Sequence, residues 1–321
     1  LIQAKAQAKN TVPLQEGQKA TSDDTHLAIQ TLDDLRRSFQ ESKYVSDSQI
    51  EMAVYLALKL QKPLLVEGEP GCGKTEIAKV ISAGLGTRLI RLQCYEGLDA
   101  NSTIYEWDYL RQIISIRMEE NRKTPAELEK SIFSEKFLLK RPLLEAILYD
   151  GERPPVLLID EIDRADEEFE GLLLELLAEF QVTIPEIGTF KAKRKPVIVI
   201  TSNRTRELGD GLRRRCLYLY ITYPSLDKEL QIVKLKVPGI EDRLARQIVQ
   251  TVTRIRLERD IIRKPGTSET LDWANALVSL GKSELTPEIA RETLSCVLKS
   301  SDELLLLSPE KMDSILKDVL N

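Results

Sequence analysis

Gly68-Glu69-Pro70-Gly71-Cys72-Gly73-Lys74-Thr75 stands directly after the apolar run PLLVEG (63 to 68) and directly before a helical pattern from Thr75 to Ala83. It satisfies G-x-x-x-x-G-K-[ST] at every fixed position, and its flanks are the strand and helix that this pattern requires. A chance glycine-rich turn is the competing reading, and the flanks weigh against it. Glycines let the backbone curl so that its N–H groups and the following helix N-terminus face phosphate oxygens. Lys74 would then reach the β and γ phosphates, and the Thr75 hydroxyl would ligate Mg²⁺. Gly68 through Thr75 are therefore the candidate phosphate contacts.

Working outward, four more apolar runs follow: TRLIRLQ (87 to 93), PVLLID (155 to 160), PVIVITS (196 to 202) and CLYLYI (216 to 221). Helical segments separate them, at Thr75 to Ala83, Ala126 to Leu148 and Glu167 to Phe180, and a helical pattern from Leu32 to Leu60 precedes the first. Alternating strands and helices predict a three-layer α/β unit with a five-stranded, mainly parallel sheet. The third run ends in Asp160-Glu161, at the strand edge where open α/β sheets bind ligands. Asp160 is expected to hold Mg²⁺ and Glu161 to orient and deprotonate an attacking water. Such a pair is common after any buried strand, and the upstream phosphate loop is what makes it informative. Between Phe180 and Pro196 an inserted β-hairpin is expected near 181–192.

After Pro224 the pattern becomes purely helical. Leu226, Leu230, Val233 and Val237, then Leu244, Ile248, Val252 and Ile255, recur at helical spacing. The expected division is residues 1–43 as tail and leading helix, 44–224 as α/β core, and 225–321 as an all-helical lid.

Composition narrows the chemistry. The 321 residues carry 46 basic and 51 acidic side chains, a net charge of -5, which disfavours nucleic acid as main partner. A single histidine, His26, makes a histidine metal centre or a Ser-His-Asp hydrolase improbable. Four scattered cysteines suggest neither zinc nor disulfides, and hence a reducing compartment. No run is long enough to span a membrane, and the start, LIQAKAQAKN, has no signal-peptide core, so a cytoplasmic location is expected; Leu1 in place of Met leaves the native N-terminus open.

Together the loop, DEID (160 to 163), RLQCYEGLDANSTIYEWDYLRQ (91 to 112) and TSNRTRELGDGLRRRCLYL (201 to 219) resemble AAA+ ATPases. More narrowly they resemble the MoxR group, on the side of the accessory ATPases that mature carbon monoxide dehydrogenase. The resemblance spans roughly residues 40 to 300. It implies ATP and Mg²⁺ as cofactors and a homo-oligomer, a ring of six. It also implies a protein client, a role in metal-centre or cofactor insertion, and a partner with a von Willebrand factor A domain. Asn203 matches sensor 1, which positions the attacking water; an ordinary turn asparagine is the plainer reading. Arg215 matches the arginine finger inserted into a neighbour's site, with Arg214 as the fallback. Tyr44 and Val45 match the adenine-holding region, where core packing is an equal alternative. The sensor 2 arginine has no counterpart in Gly266-Thr267-Ser268-Glu269-Thr270-Leu271; Arg263 is one substitute, and the position stays unassigned.

Three features remain. Tyr95, Tyr105, Trp107 and Tyr109 cluster in a chain poor in aromatics, which suggests either client contact or core packing. On the first reading, Tyr105→Ala and Trp107→Ala abolish client remodelling while sparing basal ATPase. The basic run Lys191, Lys193, Arg194 and Lys195 reads as a protected strand edge ahead of a nucleic-acid contact. The acidic run 160 to 170 and the arginines at 213 to 215 suggest facing sides of a subunit interface. Two other function classes stay in view, an AAA+ nucleic-acid motor or loader and a small-molecule P-loop kinase.

Overall fold

Side-chain caps and prolines set the element boundaries. The computed structural model describes residues 29–99, 101–119 and 124–320, so the stretch read as a tail, His26 included, lies almost wholly outside the described residues. The helical pattern from Leu32 to Leu60 divides into α1 (Leu32–Glu41) and α2 (Ser48–Leu60), because Asp47 accepts a hydrogen bond from Ile50 N and starts a new helix. The phosphate-loop motif joins β1 (Leu64–Gly68) to α3 (Lys74–Leu85), which leads to β2 (Leu89–Gln93).

The segment from Ala126 to Leu148 is not one helix. It holds α5 (Pro125–Ile132), a short 3-10 turn, β4 (Leu138–Lys140) and α6 (Pro142–Ile147). Pro142 can begin a helix but not continue one. β4 pairs antiparallel with β3 (Tyr105–Trp107), forming a ribbon that α4 (Tyr109–Glu119) follows. Next come β5 (Val156–Asp160), α7 (Glu167–Glu179), and the expected hairpin, β6 (Gln181–Ile184) with β7 (Gly188–Lys191). β8 (Val197–Ser202), α8 (Asp210–Arg215) and β9 (Leu217–Ile221) complete the α/β part.

All five expected runs lie in one sheet, in the order β2-β5-β8-β1-β9, and every pairing is parallel. Neighbouring strand residues point to opposite faces. Leu65, Leu157, Ile159, Ile198 and Ile200 enter a core with α6, α7 and α8, whereas Leu64, Val66, Val156, Leu158 and Val199 enter a second core with α1, α2 and α3. This is the three-layer arrangement, and it explains why the strands read as continuous apolar runs. The loops after β1, β5 and β8 meet at one edge.

Beyond β9 the described residues form helices only: α9 (Leu226–Lys236), α10 (Asp242–Leu257), α11 (Thr267–Ser279), α12 (Pro287–Thr293), α13 (Ser301–Leu306) and α14 (Pro309–Leu320). They enclose a third core around Val233, Leu244, Ile248, Val252, Ile255 and Trp273. A buried ion pair ties three of them together. Arg256 donates to both Glu229 oxygens, at 2.6 and 2.7 Å, and Thr270 Oγ1 donates to Glu229 Oε1 at 2.7 Å. Removing one partner of so buried a pair costs about 3–5 kcal/mol. No helix among the described residues is long and apolar enough to cross a membrane.

Candidate active site

β1 ends against β9 so closely that a Cβ on Gly68 would lie 2.1 Å from the Ile221 carbonyl oxygen. Only glycine fits there, and the chain then curls into the loop that opens α3. Lys74 is buried, and its Nζ donates to the carbonyls of Gly68 and Glu69 at 2.8 and 2.7 Å. Burial pulls the lysine pKa below its ordinary value, a shift that nearby Asp163 and Asp160 oppose.

Thr75 and Asp160, far apart in sequence, stand side by side: Thr75 Oγ1 donates to Asp160 Oδ1 at 3.0 Å. A hydroxyl and a carboxylate in contact beside a buried lysine fit the oxygen donors that Mg²⁺ requires. When bound there, the ion would neutralise charge on the phosphates. Thr201 fixes this pair from β8. Its Oγ1 donates to Asp160 Oδ1 at 2.5 Å and accepts from Glu161 N at 2.9 Å.

Glu161 adopts a left-handed backbone at φ 57, which costs a non-glycine residue roughly 1–2 kcal/mol. The turn swings its carboxylate off the strand, where Oε2 pairs with Arg164 Nε at 2.7 Å. Asn203 lies opposite, after β8. Its N–H and those of Thr205 are gathered by Asp163, with Asn203 N 3.1 Å from Oδ1 and Thr205 N 2.9 Å from Oδ2. Burial alone would raise the Asp163 pKa, but the hydrogen bonds from Thr205 and Asn203 outweigh it and hold the carboxyl below its ordinary value.

Two adjoining cavities receive these groups. One of about 310 Å³ is lined by Pro70, Gly71, Gly73, Lys74, Thr75, Asp160, Glu161, Thr201 and Asn203. The other, about 460 Å³, continues from Gly71, Cys72 and Gly73 to Tyr44 and Val45 on one side and Thr267, Leu271 and Asn275 of α11 on the other. Tyr44 also packs edge-on against Phe39, 5.3 Å between ring centres, so both readings of it hold geometrically. A smaller cavity of about 150 Å³ lies where β8 begins, beside Lys62, Lys193, Arg194 and Lys195, and has none of these groups.

Residues 63–216 match the family model of the AAA domain, dynein-related subfamily. This part of the chain, β1 to the end of α8, is similar to AAA domains. An uncharacterised AAA domain-containing protein of Schizosaccharomyces pombe is 26% identical over 199 residues, covering 60% of this chain. The chain spans only 21% of that relative's length. Among solved structures, a single-residue variant of RuvB from Thermotoga maritima superposes with a TM-score of 0.48 at 18% identity, covering 85% of this chain and 72% of that one. The Thermotoga maritima RuvB Holliday junction branch migration motor gives 0.43 at 19% identity, covering 84% and 71%.

Arg215 closes α8, its Nη1 donating to Gly211 O at 3.0 Å. It does not line the two cavities of its own chain. Arg263 is not brought to the phosphate cavity either; it lines a separate cavity of about 360 Å³ behind the loop, with Glu69 and Pro70. What meets the loop from α11 is backbone: Thr267 N, in the first turn of that helix, donates to Gly71 O at 3.0 Å.

Several participants were not singled out from sequence. Arg91 of β2 places Nη2 2.6 Å and Nε 3.1 Å from Asp160 Oδ2; its one signal is a cation inside an apolar strand. Thr201 and Asp163 have none, since their partners lie on or just beyond a neighbouring strand of the sheet, and Arg164 meets Glu161 only three residues back. Of the aromatic cluster, Trp107 is core, 7% exposed and edge-on to Phe133 and Tyr105. Tyr95 and Tyr109 are exposed. The basic hairpin residues fold back on their own chain, Arg194 donating to Gly151 O and Lys195 lying over Phe180. The acidic run is divided: Asp160, Asp163 and Glu170 are buried, with Glu170 paired to Arg206, while Asp166, Glu167 and Glu168 are exposed.

Proposed function

We propose that the chain is a Mg²⁺-dependent ATPase of the MoxR type that works as a homo-oligomer, a ring of six, and remodels a protein client. The observation that carries this reading is the convergence of Lys74, Thr75, Asp160, Glu161 and Asn203 on one cavity that opens toward a helical lid. Lys74 and the loop amides hold the phosphates. Asn203 holds the attacking water, and Glu161, freed from Arg164, takes its proton. Arg215, which does not line its own chain's two cavities, serves the site of an adjacent copy, where its guanidinium offsets charge developing in the transition state. Thr75 and Asp160 hold Mg²⁺, and Tyr44 and Val45 border the adenine.

The client reading draws on the resemblance to MoxR proteins, which act in metal-centre or cofactor insertion beside a von Willebrand factor A domain partner. A cytoplasmic location belongs with it. Division into a core over 44–224 and a lid over 225–321 gives the hinge through which closure acts on the client.

The test is retention by Glu161→Gln, which should bind ATP and hold its client longest. After nuclease treatment, the expected result is a specific protein retained with ATP and absent with ADP or from Lys74→Ala. Turnover stimulated by DNA and lost at raised salt would instead favour a nucleic-acid motor, and transfer of phosphate to an acceptor other than water would favour a kinase.

A further inference from the structure

The residue just before the phosphate loop is a buried carboxylate with no part in the scheme above. Glu67, at 2% exposure, ends the apolar part of β1 one position before Gly68. Tyr218 Oη donates to its Oε2 at 2.9 Å. Arg204 Nε stands 3.8 Å from Oε2 and Arg213 Nη1 3.6 Å from Oε1. Each guanidinium also lies over a tyrosine of β9, Arg204 over Tyr220 and Arg213 over Tyr218, 5.6 Å from the ring centre. Burying a carboxylate is costly unless it is paired and hydrogen-bonded, and this cluster supplies both.

The partners come from distinct parts of the machinery. Glu67 leads into the loop that takes phosphate. Arg204, left-handed at φ 60, directly follows Asn203. Arg213 lies in α8, the helix that ends in Arg215. The triple arginine is thus divided by function: Arg213 is engaged inside its own chain, while Arg214 is 83% exposed and only 3.9 Å from an equally exposed Asp210.

We propose that Glu67 is a positioning residue that ties each copy's own phosphate loop to the arginine that copy lends to its neighbour. Phosphate seated in the loop fixes the backbone at Gly68, Glu67 is held with it, and through Arg213 the carboxylate sets the pose of α8. Hydrolysis at one site would then depend on the nucleotide state of the copy beside it. This rests on the reading of Arg215 as acting between copies.

Mixed assemblies of full-length chains separate the possibilities. A donor copy carrying Glu161→Gln binds ATP and offers Arg215 but does not hydrolyse. An acceptor copy carrying Arg215→Ala hydrolyses only with a neighbour's arginine. Co-assembled, the two should restore phosphate release. Adding Glu67→Gln to the donor should cut that restoration at least tenfold, whereas adding it to the acceptor, whose own α8 is not in use there, should change it less than twofold. A merely structural role would not distinguish donor from acceptor. Arg213→Gln in the donor, at a half-exposed position, breaks the same link from the other end and is the arm to read if Glu67→Gln lowers folding. Equal restoration with and without the donor substitution overturns the proposal, as does a loss confined to the acceptor. No restoration by the parent pair despite co-assembly refutes the action of Arg215 between copies, and this proposal with it.

Discussion

Thr201 holds both halves of the Asp160-Glu161 pair, one through its hydroxyl proton and the other through its lone pair. At the same place Arg91 occupies the second Asp160 oxygen and Arg164 occupies Glu161. Both acidic groups therefore meet arginine before any ligand does, and nucleotide binding has to displace or share these cations. Cys72, inside the loop, is no competing nucleophile, since burial raises its pKa to about 11 and the thiol stays protonated at neutral pH. Trp107 belongs to this scale too. It is buried among Tyr105 and Phe133, so Trp107→Ala should destabilise the fold by about 3–5 kcal/mol. A thermal midpoint unchanged from that of the wild type would contradict this placement. The aromatic spacing alone supported core and surface equally, because tyrosine and tryptophan serve in both. Lys74 and Thr75 were legible as the end of a fixed-spacing glycine motif, and Asp160 as the acidic end of an apolar strand. Arg91 and Glu67 were not, since each gains its role from a strand that only the sheet order brings near.

At the scale of elements, the phosphate loop and α11 touch directly, Thr267 N donating to Gly71 O. Gly266 has an ordinary φ of -84, yet a Cβ there would fall 2.7 Å from Gly71 Cα and 2.9 Å from Pro70 O. Gly266→Ala should therefore keep the helix but push its N-terminus off the loop. The expected outcome is a nucleotide Kd raised about tenfold, equivalent to about 1.4 kcal/mol, with the thermal midpoint nearly unchanged. An unaltered Kd would show that α11 does not close the site through Gly71. The five strands were legible because parallel strands covered on both faces are uninterrupted apolar runs. The stretch from Ala126 to Leu148 misled because β4 is only three residues long, too short for any period, and its pairing partner β3 is distant in sequence.

Across the whole molecule, two ion pairs join the helices beyond β9 to the α/β part beside the larger cavity. Lys228 reaches Asp47 at 2.6 Å, and Lys236 reaches Glu76 at 3.4 Å. Each is partly exposed and worth no more than about 1 kcal/mol. The opposed charges read from the sequence are partly spent within the chain, Asp163 and Glu170 on Thr205 and Arg206 and Arg213 on Glu67, whereas Asp166, Glu167, Glu168, Arg214 and Arg215 remain exposed. The central claim is that one cavity binds ATP through Lys74 and hydrolyses it through Glu161. It is tested most directly by measuring nucleotide binding and phosphate release in parallel for wild type, Lys74→Ala and Glu161→Gln. The account predicts lost binding in Lys74→Ala, and in Glu161→Gln near-normal ATP binding with release slowed about a hundredfold or more, the usual contribution of a general base. Near-normal phosphate release by Glu161→Gln would contradict it.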